Sequence, residues 1–407
     1  MIERIARPRY MAKIRPFIGQ TEVVKIVTGL RRSGKSVFLD LIKEQLRADG
    51  VPDETILSFN FENLQLREYK DGHRLHDFLK AQIDALGGRV YLFLDEVQEV
   101  QNWEVCINSL RVNSDVDIYL TGSNAKMLAG EYATVLAGRY IEVQMYPFSF
   151  SEFCSALKLQ GAQASEAECF QKYLLMGGMP FAVTHLESGD TSTQYLSDIY
   201  TSVVIKDIMK RNSFRDVDLL ERIITYVIAN IGRTFSATSI SKFLKSEHRK
   251  VAPETVLNYL RGCEEAYLFS RAGRMDLVGK KILQVNEKYY VTDHGLREAV
   301  YGGNQRDIEL VLENIVYFEL LRRGYKVTVG RMGETEIDFV CDKGAMRIYV
   351  QVCYLLADEQ TVAREFGAYA GIPDNFPKFV VSMDELDLSR DGIIHKNIRS
   401  FLLDETL

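Results

Sequence analysis

The chain has 407 residues, 46% hydrophobic and 26% charged, with a formal net charge of −6. That length exceeds one ordinary core and predicts a globular protein of two to four domains, and no apolar run reaches the roughly 18–20 residues of a membrane span. The negative balance excludes wholesale coating of a nucleic acid but leaves room for a local basic patch.

In chain order, the basic start MIERIARPRYMAKIRPF has no apolar core and no small-residue cleavage site, so no signal peptide is expected. The first informative stretch is VVKIVTGLRRSGKSVFL, Val23–Leu39. Its apolar run predicts a buried parallel strand, and the spacing after Lys35 predicts a helix. Between them stands the G-x-x-x-x-G-K-[ST] pattern in strand–loop–helix context. Gly29 and Gly34 let backbone N–H groups converge on phosphates, helped by the helix N-terminus. Lys35 is expected to bridge β- and γ-phosphate oxygens and Ser36 to ligate Mg²⁺. Arg31, Arg32, Ser33 and Val37 complete the candidate phosphate-contacting set.

RVYLFLDEVQEV predicts a second strand, ending in Asp95-Glu96. An acidic pair at the carboxyl end of a buried strand is costly unless it meets a cation. Asp95 suits the shell of Mg²⁺, and Glu96 suits polarising an attacking water. A third strand, DVDIYLTGSNAKML, ends in Thr121-Gly122-Ser123-Asn124, where Ser123, or Asn124 beside it, can reach the γ-phosphate. Arg139 in LAGRYIEVQMYPF fits either an arginine finger, worth about 10³–10⁵ in rate, or a surface ion pair.

The order TGLRRSGKS, LFLDEVQ, YLTGSN, LAGRY, YPFSFSEF, GGMP resembles a widespread prokaryotic family of P-loop ATPases of the AAA+/STAND-like branch. Its members carry a C-terminal domain of unknown function, and the resemblance covers nearly the whole chain. It implies ATP and Mg²⁺ as ligands, Ser123 in the place of the first γ-phosphate sensor, and a Gly-Gly-x-Pro lid segment against the adenine, matched here by Gly177, Gly178 and Pro180. The implied fold class is α/β: a P-loop NTPase parallel-sheet core over residues 1–150, followed by a helical lid over 151–214.

SEFCSALKLQ, SEAECFQKYLLM and TSTQYLSDIYTSVVIKDIMKR supply the helices of that lid. From 215 to 300, capped helices with a short turn and then alternating strands around Gly279-Lys280 predict a winged helix-turn-helix. Its basic residues, Lys242, Lys245, His248, Arg249, Lys250, Arg271, Arg274, Lys280 and Lys281, form a candidate DNA footprint. Glu247, Glu254, Glu264 and Glu265 dilute it, and packing against protein is the other reading.

Residues 301–407 predict helix, strand, strand, strand, similar to the PD-(D/E)xK nuclease core, with Glu313, Asp338 and Gln351-x-Cys353 at the motif positions. Gln is a weak ligand for a hard cation, and Cys353 stands where a nuclease needs lysine, so the lysine role is expected to be empty and the domain catalytically degenerate. Six scattered cysteines form no C-x-x-C pair, and His73 and His76 share a helical face without a metal-ligating cluster; a reduced, cytoplasmic protein is expected. The combined reading is an Mg²⁺-dependent regulatory or remodelling ATPase that exchanges ATP/ADP, with an unidentified protein client, no membrane partner, and a homo-oligomer if Arg139 acts in trans. The alternatives are a nucleotide-gated DNA-binding protein and a metal-dependent nuclease.

Overall fold

The computed structural model describes residues 4–128, 135–186, 189–277, 279 and 281–405, with 281–286 described in backbone only. The chain divides into two compact units, Met1–Tyr146 with Glu265–Tyr267, and Pro147–Glu264 with Leu268–Leu407.

The first unit holds five strands, β1 (Val24–Gly29), β2 (Ile56–Asn60), β3 (Val90–Asp95), β4 (Val116–Gly122) and β5 (Tyr140–Met145). They form one sheet in the order β2-β3-β4-β1-β5, parallel throughout. The helices are α1 (Pro8–Ile14), α2 (Lys35–Ala48), α3 (Gly72–Leu86) and α4 (Trp103–Asn113). Strand residues alternate between two cores, as a period of two requires. Ile26, Leu92, Leu94, Ile118 and Leu120 pack with Leu75 and Leu79 of α3 and Ile107 and Leu110 of α4. Val27, Phe93 and Tyr119 pack on the other face with Tyr10 and Ile14 of α1 and Phe38, Leu39 and Ile42 of α2. Burial on both faces is why β1, β3 and β4 read as apolar runs.

One polar pair interrupts that apolar sheet. Lys25 on β1 and Asp117 on β4, both with side chains 0% exposed, form an ion pair. Lys25 Nζ also donates to the Gln20 carbonyl at 2.6 Å. Asp117 accepts from the Gly19 N–H at 2.8 Å and the Tyr119 hydroxyl at 2.7 Å. Burial pulls the Lys25 pKa down while Asp117 opposes that shift. The pair ties the chain entering β1 to the middle of the sheet.

The second unit begins with α5 (Phe150–Leu159), α6 (Glu166–Met176), α7 (Pro180–His185) and α8 (Asp190–Ser202). The pattern over 191–211 predicts one helix; the structure ends α8 at Ser202 and continues as a π-helix over Val203–Lys210. Then come α9 (Val217–Ala229), β6 (Thr234–Phe235), α10 (Ala237–Ser246), α11 (Pro253–Glu265), β7 (Phe269–Asp276) and β8 (Lys281–Val291). The remaining elements are α12 (His294–Val300), α13 (Ile308–Arg322), β9 (Lys326–Met332), β10 (Thr335–Lys343), β11 (Met346–Val352), α14 (Glu359–Gly367), β12 (Lys378–Ser382), β13 (Ile394–Asn397) and α15 (Ile398–Leu403). All eight strands share one sheet, ordered β13-β12-β11-β10-β9-β7-β8-β6. β7 pairs antiparallel with β8 and parallel with β9, so one ladder runs through the regions 215–300 and 301–407. Lys280, and the side chain of Lys281, lie outside the described residues.

All six cysteines are buried and unpaired. Among the described residues no helix is long and apolar enough to cross a membrane, and no cluster of His, Cys, Asp or Glu is arranged to hold a metal ion.

Candidate nucleotide-binding site

The carboxyl end of β1 turns into α2 through residues 30–34. Gly29 has φ 137°, and a Cβ there would stand 2.2 Å from the Met145 carbonyl oxygen on β5. Gly34, at φ 98°, is the N-cap of α2, and no side chain caps the helix. No N-cap side chain competes for the first-turn N–H groups, the arrangement that favours an anion. Arg32 also adopts a left-handed backbone, φ 63°. Ser33 is fully buried in this loop and its Oγ has no hydrogen-bond partner. Lys35 is buried, and Nζ donates to the Gly29 and Leu30 carbonyls at 3.1 Å each. Its ammonium lies 3.9 Å from the Glu96 carboxylate. Arg31 pairs with Glu62 at 3.2 Å, while Arg32, Ser36 and Val37 are exposed.

The acidic pair sits where the strand pattern predicts, at the end of β3, and its supports come from two neighbouring strands. Asp95 accepts from Asn60 Nδ2 on β2 at 2.9 Å and from the Thr121 hydroxyl on β4. Burial raises the Asp95 pKa, and the Thr121 and Ser36 hydroxyls oppose that rise. Glu96 takes φ 54°, a left-handed conformation costing about 1–3 kcal/mol in a non-glycine residue. That turn aims its N–H at Thr121 Oγ1, 2.9 Å away. A single hydroxyl thus accepts from one acidic residue's backbone and donates to the other's carboxylate.

The Glu96 carboxylate accepts from the Gln98 amide and from Ser123 Oγ, the latter at 3.3 Å. Gly122 makes room for Gln98, since a Cβ there would lie 2.7 Å from Gln98 Oε1 and 1.7 Å from Met127 Sδ. Ser123 and Asn124 are both buried; Asn124 Oδ1 is turned to the Lys126 N–H at 2.7 Å. Asn60, Gln98 and Thr121 escape a reading by motif. Asn60 has one weak signal: it ends β2 as Asp95 ends β3, and the two are register partners.

Arg139 is placed differently. It is exposed, immediately before β5, and its carbonyl accepts the Val24 N–H at 2.9 Å. Val24 pairs with Tyr140 at one end of the ladder, and Gly29 with Met145 at the other. Five strand residues separate Arg139 from the phosphate loop, roughly 16 Å at about 3.3 Å per residue. An arginine finger acting within one chain is therefore ruled out by position. Gly178 and Pro180 lie in the second unit. There the Gly178 N–H donates to Asp293 at 2.7 Å and its carbonyl accepts from Phe148 at 2.7 Å. A Cβ on Gly178 would stand 2.2 Å from the Phe148 carbonyl oxygen, and one on Gly177 2.3 Å from Asp293 Oδ1. Pro180 opens α7.

The C-terminal motif residues also meet, with an addition. Glu313 on α13 and Asp338 on β10 converge, Gln351 Oε1 accepts the Asp338 N–H at 3.1 Å, and Cys353 is buried in the apolar core with Tyr349 and Phe366. The motif reading did not include Lys288 on β8, which brings its ammonium to Glu313 at 2.8 Å and Asp338 at 3.4 Å. A local motif cannot show a lysine delivered by another strand.

A family profile described as "AAA domain" matches residues 21–154, and one described as "Domain of unknown function (DUF8612)" matches 167–307. An uncharacterized protein of Haemophilus influenzae is 35% identical over 378 residues, 93% of each chain. Uncharacterized protein MJ1544 of Methanocaldococcus jannaschii is 27% identical over 358 residues, 85% of this chain and 78% of its own. Among solved structures, AMPPCP-bound DnaA from Aquifex aeolicus superposes with a TM-score of 0.34 at 13% identity, over 65% of this chain and 89% of its own.

Proposed function

Because this chain belongs to a family of prokaryotic AAA+ P-loop ATPases, we propose that it binds and hydrolyses ATP in the presence of Mg²⁺ to drive a conformational switch. The observation that carries this reading is the meeting of Lys35 with Glu96, with Asp95 beside Glu96 at the end of β3 and the Ser36 hydroxyl near enough to oppose the rise of the Asp95 pKa. An ammonium for phosphate oxygens, a hydroxyl and a carboxylate for a hard cation, and a second carboxylate for a water are the donor set that phosphoryl transfer to water requires.

Lys35 exchanges its two carbonyl contacts for phosphate oxygens, and the first turn of α2 supplies backbone N–H donors. Ser36 and Asp95 would hold Mg²⁺, whose charge neutralises the phosphate oxygens when it is bound. Glu96, oriented by Gln98 and Ser123, orients the attacking water and accepts its proton. Gly178 and Pro180 border the adenine when the lid segment meets nucleotide, and Arg139 serves a neighbouring copy's site in a homo-oligomer. The decisive experiment is steady-state ATP turnover of Lys35→Ala and Glu96→Gln. Both should lose activity, Lys35→Ala together with ATP binding and Glu96→Gln without losing it. Parent-like turnover in both variants rules this mechanism out.

A second reading, nucleotide-gated DNA contact through a winged helix spanning α9–α11 and the β7–β8 hairpin, is favoured by one observation. Lys242, Lys245 and Lys250 are exposed on or beside α10. Other basic residues of the expected footprint are engaged: Arg249 with Asp216 and Asp218, Arg271 with Glu264 and Glu287, Arg274 with Glu336.

A further inference from the structure

The acidic cluster of the second unit is neutralised from one side by a single hairpin. Lys288 Nζ on β8 lies 2.8 Å from Glu313, 3.0 Å from Glu336 and 3.4 Å from Asp338, so one ammonium sits among three carboxylates from α13 and β10. Arg274 on β7 reaches Glu336 at 3.3 Å, and the Tyr290 hydroxyl on β8 donates to Glu313 at 2.7 Å. Lys288 is 3% exposed. Beside the cluster lies a cavity of about 410 Å³, lined in part by Glu309, Gln351, Arg364 and Glu365. Glu365 is 3% exposed, and its Oε2 has no hydrogen-bond partner.

Three hard-oxygen side chains converging on a point are the donor set of a divalent cation. Glu313 and Asp338 are buried and Glu336 is one-third exposed, and gathering the three charges without a cation would be costly. Here the convergence point already holds a positive charge that belongs to the chain. We propose that Lys288 is a resident cation that occupies a latent divalent-metal site, so that the β7–β8 hairpin keeps the C-terminal pocket metal-free. The consequence is functional: this pocket performs no metal-dependent phosphodiester cleavage. The charge pairing instead docks the hairpin onto α13 and β10.

The test is Mn²⁺ binding to the nucleotide-free full chain at pH 8, read by the loss of the free-ion EPR signal. The parent and Glu336→Gln should give the same titration, because the pocket takes no metal in either. Lys288→Met should gain one site per chain at least ten-fold tighter than anything in the parent. Adding Glu336→Gln to it should weaken that site, and Lys288→Arg, which keeps the charge, should gain none. Parent binding that disappears in Glu336→Gln overturns the proposal, and so does a folded Lys288→Met that gains nothing. Should Lys288→Met fail to fold, the parent and Glu336→Gln pair still decides: equal titrations uphold the proposal and a difference refutes it.

Discussion

Thr121 shows how much one hydroxyl can organise. It accepts the Glu96 N–H and donates to Asp95, so it holds both acidic residues of the nucleotide site in register. Thr121→Val keeps the shape and removes both bonds. Turnover should fall about ten- to a hundred-fold, in line with losing about 1.4–2.8 kcal/mol of positioning, while ATP affinity by calorimetry stays near the parent's. Glu96→Gln should fall further, by about 10²–10⁴, the range for removing a general base, as read by phosphate release at saturating ATP. Lys35, Ser36, Asp95 and Glu96 were legible because phosphate and metal chemistry fixes their spacing along one strand–loop–helix or one strand end. Thr121, Asn60 and Gln98 were not, because their bonds to Asp95 and Glu96 depend on how the chain folds around the strand ends.

At the scale of elements, the buried Lys25–Asp117 pair and the packing of α6 and α8 against α12 make two different demands. Asp117→Asn leaves the Lys25 ammonium buried without its counter-charge, which typically costs about 3–5 kcal/mol. Urea unfolding followed in the first unit should show that loss, and Lys25→Met with Asp117→Leu should recover part of it. In the second unit, Asp293 is pushed up to about 6 by burial, and its neighbour His294 is pushed down to about 4 by burial. As pH falls from 6.5 to 4 the unfolded chain protonates His294 before the folded one does, so this residue removes stability. Asp293 protonates first in the folded chain and adds stability over nearly the same window, each effect on the order of 3 kcal/mol. His294→Gln keeps a donor for the Tyr173 carbonyl, 2.6 Å from the ring nitrogen in the parent. Relative to the parent it should gain up to about 3 kcal/mol between pH 6.5 and 4, measured by denaturant unfolding at both pH values.

At the scale of the whole molecule, continuous apolar runs revealed β1, β3 and β4 of the parallel sheet, since burial on both faces leaves a continuous signature in each of them. Strands β7 to β11 were legible one by one, but their joining into one eight-stranded sheet was not. β7 and β9 pair in parallel although their ends are separated by two helices in the chain, and nothing local in either strand names its partner. For the same reason Lys288 was invisible as a member of the acidic cluster, 50 residues away from Asp338. If DNA is a partner, exposed Lys245 and Lys250 are the better probes than ion-paired Arg249. Lys245→Ala with Lys250→Ala should reduce the slope of log affinity against log salt by about 2 in a fluorescence-anisotropy titration. No binding by the parent at low salt removes the DNA reading.

β4 stands between the strand that leads into the phosphate loop and the strand that ends in the acidic pair. Two ladder spacings, about 9.6 Å, therefore separate their backbones, and only side chains reaching inward close that distance. The sheet order acts as a gauge. It sets the spacing of the two strand ends independently of any ligand, and under the proposed mechanism that spacing would let a water, rather than the Glu96 carboxylate, meet the phosphorus.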